Sequence, residues 1–535
     1  MSVAILDDAL PDLRAARRKR RTADLEWFDL AYRVYLVALG GGGLVLWLSS
    51  LIRDTPLGES GLADVRSHGP AAGGLVTALA ILLGLRSGSR GGPLAIEEAE
   101  VRHVLLAPIS RAKALMRPAS QRARSIIGTG AVVGGLAGEL FGRRLPQSLA
   151  EWTISWAVAG MIAGTAFVAA ALLTHGTHRP EWQASVIGGA LLIVEGLAVS
   201  HVIPAGPFDT VGSLALWPLR VNLLDIVAPV VAVGALVVGF LGLGRFSLEL
   251  MARRSALVAQ LRFAVTTQDL RTVMLLRRQL SLEQTREQPW FRLGKRGSAP
   301  WRRSVRGLAR FPGRRLGRMA LLAAGAAASQ VAAFRGTSAM FLVSGMASFL
   351  LGLEALEPLA QELDHPDIGD SFPVVAGRLH QQLLLAPGIV LVVFALVGVG
   401  AAWVMEPHLS TLGIGVLLAI PTALVGGAGA VLNTISGAPD PFAADKDATM
   451  MPPEFAGAHL VFKTARPLIV AALGSVPVLI LRNGIEHGYN AAAVALRSAI
   501  AELILVVLVV WWVERRIAFK RWWRATLAQG KAQGR

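Results

Sequence analysis

Few residues in this 535-residue chain stand where they could do chemistry, and those few are carboxylates and arginines rather than nucleophiles. Glu195 lies inside an apolar run, Ala184 to Ile203. An exposed charge there costs at least about 2.5 kcal/mol, so the side chain must face a cavity or a partner. It reads either as part of a path through the membrane or as a structural, neutralised carboxyl. Asp364, Asp367 and Asp370 surround Pro366, with Phe372 close behind, in a stretch (357–382) of net charge −4. Arg102, His103, Pro108 and Arg111 lie in a second polar stretch (86–125), whose part from Leu94 to Ser125 begins with Glu97, Glu98 and Glu100 and then turns basic. Pro108 and Pro118 should break that stretch into short helical pieces lying along the membrane surface. The acidic stretch suits either a basic protein partner or solvent.

What is missing narrows the chemistry further. There is no cysteine, which excludes disulfides, thiolate metal sites and thiol nucleophiles. No GxxxxGK[ST] loop is present: Gly294-Lys295 is followed by Arg296, and Gly530-Lys531 by Ala532. HExxH and GxSxG are absent too, and His175 and His178 sit three apart on a short loop with no carboxylates to complete a metal site. The chain is therefore expected to carry no active site, metal or cofactor of its own.

The elements that must position these residues are apolar helices. Hydrophobic residues make up 53% of the chain, charged ones only 17%, and the mean hydropathy is +0.52. Soluble proteins carry about 25% charged residues, so the composition points to an all-α polytopic integral membrane protein. A spanning helix needs about 20 mostly apolar residues. Twelve such runs occur: 34–52, 70–85, 126–142, 152–173, 184–203 and 226–243, then 319–334, 337–356, 383–404, 409–432, 467–481 and 498–513. Met319 to Phe334 also suits an interfacial helix. Glu139, Glu354 and Glu502 fall near the ends of their runs, within reach of interfacial water.

With the N-terminus inside, 45 of the 53 Lys and Arg fall on the inner side and 8 on the outer. That asymmetry is the positive-inside rule, and it predicts cytoplasmic termini. It also accounts for the net charge of +17 without nucleic acid. The Arg-rich, Lys-poor composition fits a GC-rich bacterial genome, and no cleavable signal precedes the first run, so the plasma membrane is the expected location. The outer segment Pro204 to Asp225 is unusually apolar and should re-enter the membrane or lie on it. Glycine-rich faces, Gly40 to Gly43 and Gly134, Gly135 and Gly138, read as close helix-packing surfaces.

The chain divides into a basic N-terminus (1–33), a six-span half (34–243), a basic connector (244–318), a second six-span half (319–513) and a basic tail (514–535). Each half has two spans, a long inner insertion and four more spans. The insertions align at an offset of 265: Pro93-Leu94-Ala95 and Glu97 against Pro358-Leu359-Ala360 and Glu362, then Pro108 against Pro373. This supports an internal duplication into two parallel six-helix repeats. The connector reads as a surface helix and linker, or as a contact for anionic lipid or a protein partner.

The layout, with the segment Leu94 to Arg124 and its "LLAPISRAKALMRP", resembles the permease subunits of ABC-2-type exporters, here with two six-span halves fused. The resemblance implies a separate ATP-binding subunit, in two copies, that carries ATP and Mg and docks near Arg102, His103, Pro108 and Arg111 and near Asp364, Asp367, Asp370 and Phe372. It also implies export, and the mostly apolar spans with few buried charges favour a hydrophobic or amphiphilic cargo. A secondary transporter of the major facilitator type is the alternative, but Gly84 to Gly92 lacks that family's Asp and the insertion is too long for it. A membrane scaffold, or an enzyme such as a lipid-linked transferase, is a third class.

Overall fold

The computed structural model describes residues 56–94, 110–252, 254–256, 286–291, 297–364, 376–436 and 465–533, with single positions or short stretches between 31 and 52 and at 96 and 105. Among the described residues every regular element is a helix and none is a strand. A membrane imposes this outcome, because in hydrocarbon a helix satisfies its own backbone hydrogen bonds. The chain forms two compact units, 1–263 and 264–535.

In the first unit the helices are α1 (Glu59–Ser89), α2 (Arg111–Gly142), α3 (Leu149–Gly176), α4 (Glu181–Val199), the short α5 (Asp209–Ala215) and α6 (Val227–Leu241). The second has α7 (Ala299–Leu308), α8 (Gly313–Phe334), α9 (Met340–Ala355), α10 (Glu357–Asp364), α11 (Ala376–Met405), α12 (Leu409–Ser436), α13 (Ala465–Glu486) and α14 (Ala491–Gln533). Ten helices among the described residues are long and apolar enough to cross a membrane, and eleven if α9 and α10, bent by 61°, count as one. α8 is among the ten, whereas the expected first span is described only in part and is helical where it is.

Three boundaries depart from the sequence expectation. α1 begins at Glu59, well before the apolar run, through polar residues that face outward. α2 runs unbroken from Arg111 through Pro118 to Gly142, so Pro118 does not split the insertion. At about 1.5 Å per residue its 32 residues span about 48 Å, well beyond the hydrocarbon thickness of about 30 Å. α4 ends at Val199, which leaves Glu195 near the helix end rather than mid-span.

The helices meet through small residues, as expected where no hydrophobic gradient drives association. α2 and α3 cross with backbones touching: a Cβ on Gly160 would collide with the Gly130 carbonyl, and one on Gly138 would lie 2.6 Å from the Trp152 carbonyl. Gly41 to Gly43, in contrast, have no described atom within 4 Å of a would-be Cβ. In the first unit α1 packs on α3 and α4, α2 on α3, and α3 on α6. The second unit repeats the pattern one half later: α9 packs on α12, α11 on α12 and α12 on α14, while Gly345 of α9 abuts Ala472 of α13.

Candidate functional site

Each unit has an insertion, and in both of them its described residues pack onto helix ends. In the first unit Leu94, Ile96 and Leu105 join Ala114, Leu115 and Ala119 of α2, with Phe246 and Met251 beyond α6, in one buried apolar cluster. The opposite side of the same α2 segment exposes Arg111, Arg117, Arg122 and Arg124. His175 does not sit on a solvated loop as expected. It is 1% exposed, bonded through Nδ1 to the Gly88 carbonyl at 3.1 Å and set against Phe246, because α3 continues to Gly176. Arg86 and Arg90 both reach Glu181, tying the insertion to the start of α4. Burial, then the nearby Arg122, lowers the pKa of Arg254, whose guanidinium lies against Gly92.

The second insertion finds a basic partner inside its own unit. Arg315 of α8 reaches Glu354 at 2.9 Å and Glu357 at 3.3 Å, and Arg318 reaches Glu354 at 2.7 Å. Arg303 of α7 holds Glu362, only 3% exposed, at 2.8 Å. Two of the acidic groups thought to attract a basic protein are thus already neutralised by connector arginines. Coulomb attraction is stronger at such partly buried sites than in water, which favours these pairs.

Of the residues expected to dock an ATPase, Arg111 is exposed at the start of α2, and Asp364 ends α10 without a described side chain. Arg102, His103, Pro108, Asp367, Asp370 and Phe372 lie outside the described residues.

The faces opposite the insertions are stitched as the alternation of loops requires. Arg335 binds Glu406 at 2.6 Å, and Arg482 donates to the Ala333 carbonyl at 2.8 Å and to Ser338 Oγ at 3.0 Å. In the first unit the Leu57 amide donates to the Arg144 carbonyl, and His68 packs against His201.

On that face of the first unit, the segment between α4 and α6 turns back into the helices. α5 buries Val211, Gly212, Ser213, Leu214 and Ala215, and packs so closely on α1 that a Cβ on Gly212 would collide with the Pro70 carbonyl. A polar clasp fixes its far end: Asp225, 1% exposed, accepts from Ser213 Oγ at 2.7 Å and from Trp217 Nε1 at 3.2 Å, and Arg220 donates to Ser213 Oγ at 3.2 Å. Its near end meets Glu195, which is fully buried. Glu195 Oε1 accepts from the Phe208 amide at 2.6 Å, and Asp209 Oδ2 accepts from the Gly206 amide at 2.7 Å. Asp209 was not singled out in the sequence, although it opens the apolar re-entrant segment that was.

In the second unit Glu502 corrects its expected place near water. α14 begins seven residues before the apolar run, so Glu502 falls mid-span, 5% exposed and close to Thr422. No group of three or more metal-ligating side chains occurs among the described residues. Comparison with protein-family models, with curated proteins and with solved structures finds no match.

Proposed function

We propose that the chain is the transmembrane permease subunit of an ATP-driven exporter of the ABC-2 type, with both termini and both insertions in the cytoplasm of a bacterial cell. The observation that carries this reading is α2. A membrane helix prolonged past the bilayer, packed on an apolar cluster and exposing Arg111, Arg117, Arg122 and Arg124, provides a stiff lever on which a soluble subunit can push. The recurrence of the same helix pairings in both units supports a duplicated architecture with one insertion in each half. ATP and Mg would belong to separate docking subunits, and the predominantly apolar helices favour a hydrophobic or amphiphilic cargo. A transporter driven by an ion gradient is the second reading, and the buried Glu195 carboxyl, with Asp209 beside it on the same loop, is what favours it.

Affinity purification in mild detergent from the native host, with mass spectrometry and an ATPase assay, tests the first reading. A Walker-motif subunit should co-purify, and its association and ATPase activity should fall in Arg111→Glu and Asp367→Lys variants. A chain that comes out alone, under conditions that preserve known complexes, refutes the proposal and sends the search to ion-driven transport.

A further inference from the structure

The two carboxyls that meet where the re-entrant segment joins α4 each have one oxygen accounted for and one left over. Phe208 and Gly206 amides satisfy Glu195 Oε1 and Asp209 Oδ2. The remaining oxygens, Glu195 Oε2 and Asp209 Oδ1, are both buried with no hydrogen-bond donor. Both carboxyls nevertheless close on the same residue: the Gly206 amide donates to Asp209 Oδ2, and a Cβ on Gly206 would collide with Glu195 Oε2. Two carboxylate oxygens in that relation, away from water, repel unless something positive lies between them.

The surroundings limit what that can be. A Cβ on Gly74 would lie 2.6 Å from Glu195 Oε2, and one on Gly206 would collide with it. Backbone closes on the carboxyl from α1 and from the loop, leaving no shell of further oxygens such as a metal cation requires. Among the described residues of the elements packed here, no basic side chain stands in either. On the elements packed here, His68 and His201 face each other, Arg220 and Asp225 are engaged with Ser213, and Glu181 is paired with Arg86 and Arg90 at the far end of α4. Asp64, Arg66 and Glu59 of α1 are exposed, and α3 brings only Glu151, exposed, and His175, bonded to Gly88.

We propose that Glu195 and Asp209 form a proton-binding site in which one proton, held between Glu195 Oε2 and Asp209 Oδ1, fastens residues 204–216 against α1 and α4. Loss of that proton to the medium on the α5 face leaves two facing carboxylates and releases the segment. The site therefore makes the re-entrant segment sensitive to alkaline pH on that side. This inference is independent of how transport is driven.

The absence of cysteine gives a clean reporter. Leu214→Cys places a thiol on the buried segment, and Val221→Cys places one beside it at a position 73% exposed. Labelling by an impermeant maleimide is followed in proteoliposomes from pH 6 to 9, with the rate at 214 divided by that at 221 to remove the thiol's own ionisation. The ratio should rise severalfold with pH in the Glu195 chain and stay flat with Glu195→Gln, whose amide donates where the proton did. A flat ratio in the Glu195 chain, an equal rise with Glu195→Gln, or a response to sodium at constant pH overturns the proposal. Infrared difference spectra of the unsubstituted chain between the same pH values give a second readout. They should show a protonated-carboxyl band that titrates and that is missing from both Glu195→Gln and Asp209→Asn; absence of any such band in the unsubstituted chain also overturns it. Neither result touches the ATPase test.

Discussion

Arg315 offers the sharpest test of how the second insertion is held. Its side chain is 11% exposed, between Glu354 at 14% and Glu357 at 11%, and it lies over the Phe311 ring at 3.9 Å. Removing one partner from a buried ion pair costs about 3–5 kcal/mol, because the charge left behind is neither solvated nor matched. Arg315→Met keeps the aliphatic stem on Phe311 and removes only the charge and its donors. Glu354 would retain Arg318, and Glu357 would retain Gln361 Nε2 at 3.3 Å, so the expected loss is about 3 kcal/mol, the low end of that range. Combining Arg315→Met with Glu354→Gln and Glu357→Gln removes the uncompensated charges and should return the loss to about 1 kcal/mol or less. Arg335→Gln is the control. Its pair with Glu406 has side chains 51% and 31% exposed, where an ion pair contributes no more than about 1 kcal/mol. Unfolding by sodium dodecyl sulfate in mixed micelles, followed by tryptophan fluorescence, measures all three. The reasoning is refuted if Arg315→Met is as mild as Arg335→Gln, or if the triple variant is as damaged as the single one.

Two further substitutions probe the helix contacts. Trp152 is fully buried against Gly138 and Gly142 and donates from Nε1 to the Pro146 carbonyl at 2.8 Å. Trp152→Ala should therefore lose about 3–5 kcal/mol and Trp152→Phe only about 1 kcal/mol in the same unfolding assay. At position 502, Glu502→Gln keeps a polar group for Thr422 and should give monodisperse protein on size-exclusion chromatography. Glu502→Arg puts an obligate cation mid-helix at about 2.5–3.5 kcal/mol, and should lower the yield sharply.

Much of the helical architecture was legible because the membrane turns it into a count of apolar residues. The runs that became α3, α6, α9 and α12 lie within a few residues of their observed ends, and the Gly134 and Gly138 face is the one that meets α3. Helix ends made of polar residues were not legible, since hydropathy fades before helicity does. That is why α1 starts at Glu59; α14 instead starts at Ala491 because an Ala-rich stretch lies on the far side of Arg497 and Ser498, and that is why Glu502 was placed too close to water. Pro118 was taken for a break because proline removes one backbone donor, yet the turns on either side of it carry α2 through. Pairings across long separations leave no local trace: nothing in the sequence near Glu362 points to Arg303, and nothing near Glu195 points to Asp209. The second of these had a signal that went unused, an acidic residue at the mouth of the one outer segment apolar enough to re-enter.

The unequal charge of the two insertions, visible in the sequence, acquires a physical consequence once the pairings are known. The first keeps Arg111, Arg117, Arg122 and Arg124 exposed, so a partner meeting it sees cations. The second has Glu357 and Glu362 committed to Arg315 and Arg303. Identical copies of one soluble subunit cannot match both surfaces by charge: an acidic face suited to α2 gains nothing from Glu357 and Glu362, whose charges are already matched. Under the proposed function, docking on the first half is then electrostatic and docking on the second rests on shape and apolar contact. Raising the salt concentration should weaken the first contact and spare the second, because screening acts on exposed charges and hardly on buried pairs. Charge reversal should follow the same order, with Arg111→Glu releasing more of the co-purifying subunit than Asp367→Lys. Equal losses in the two variants at low salt would mean that the two insertions present the same kind of surface, and the asymmetry argued from Arg303 and Arg315 would fall.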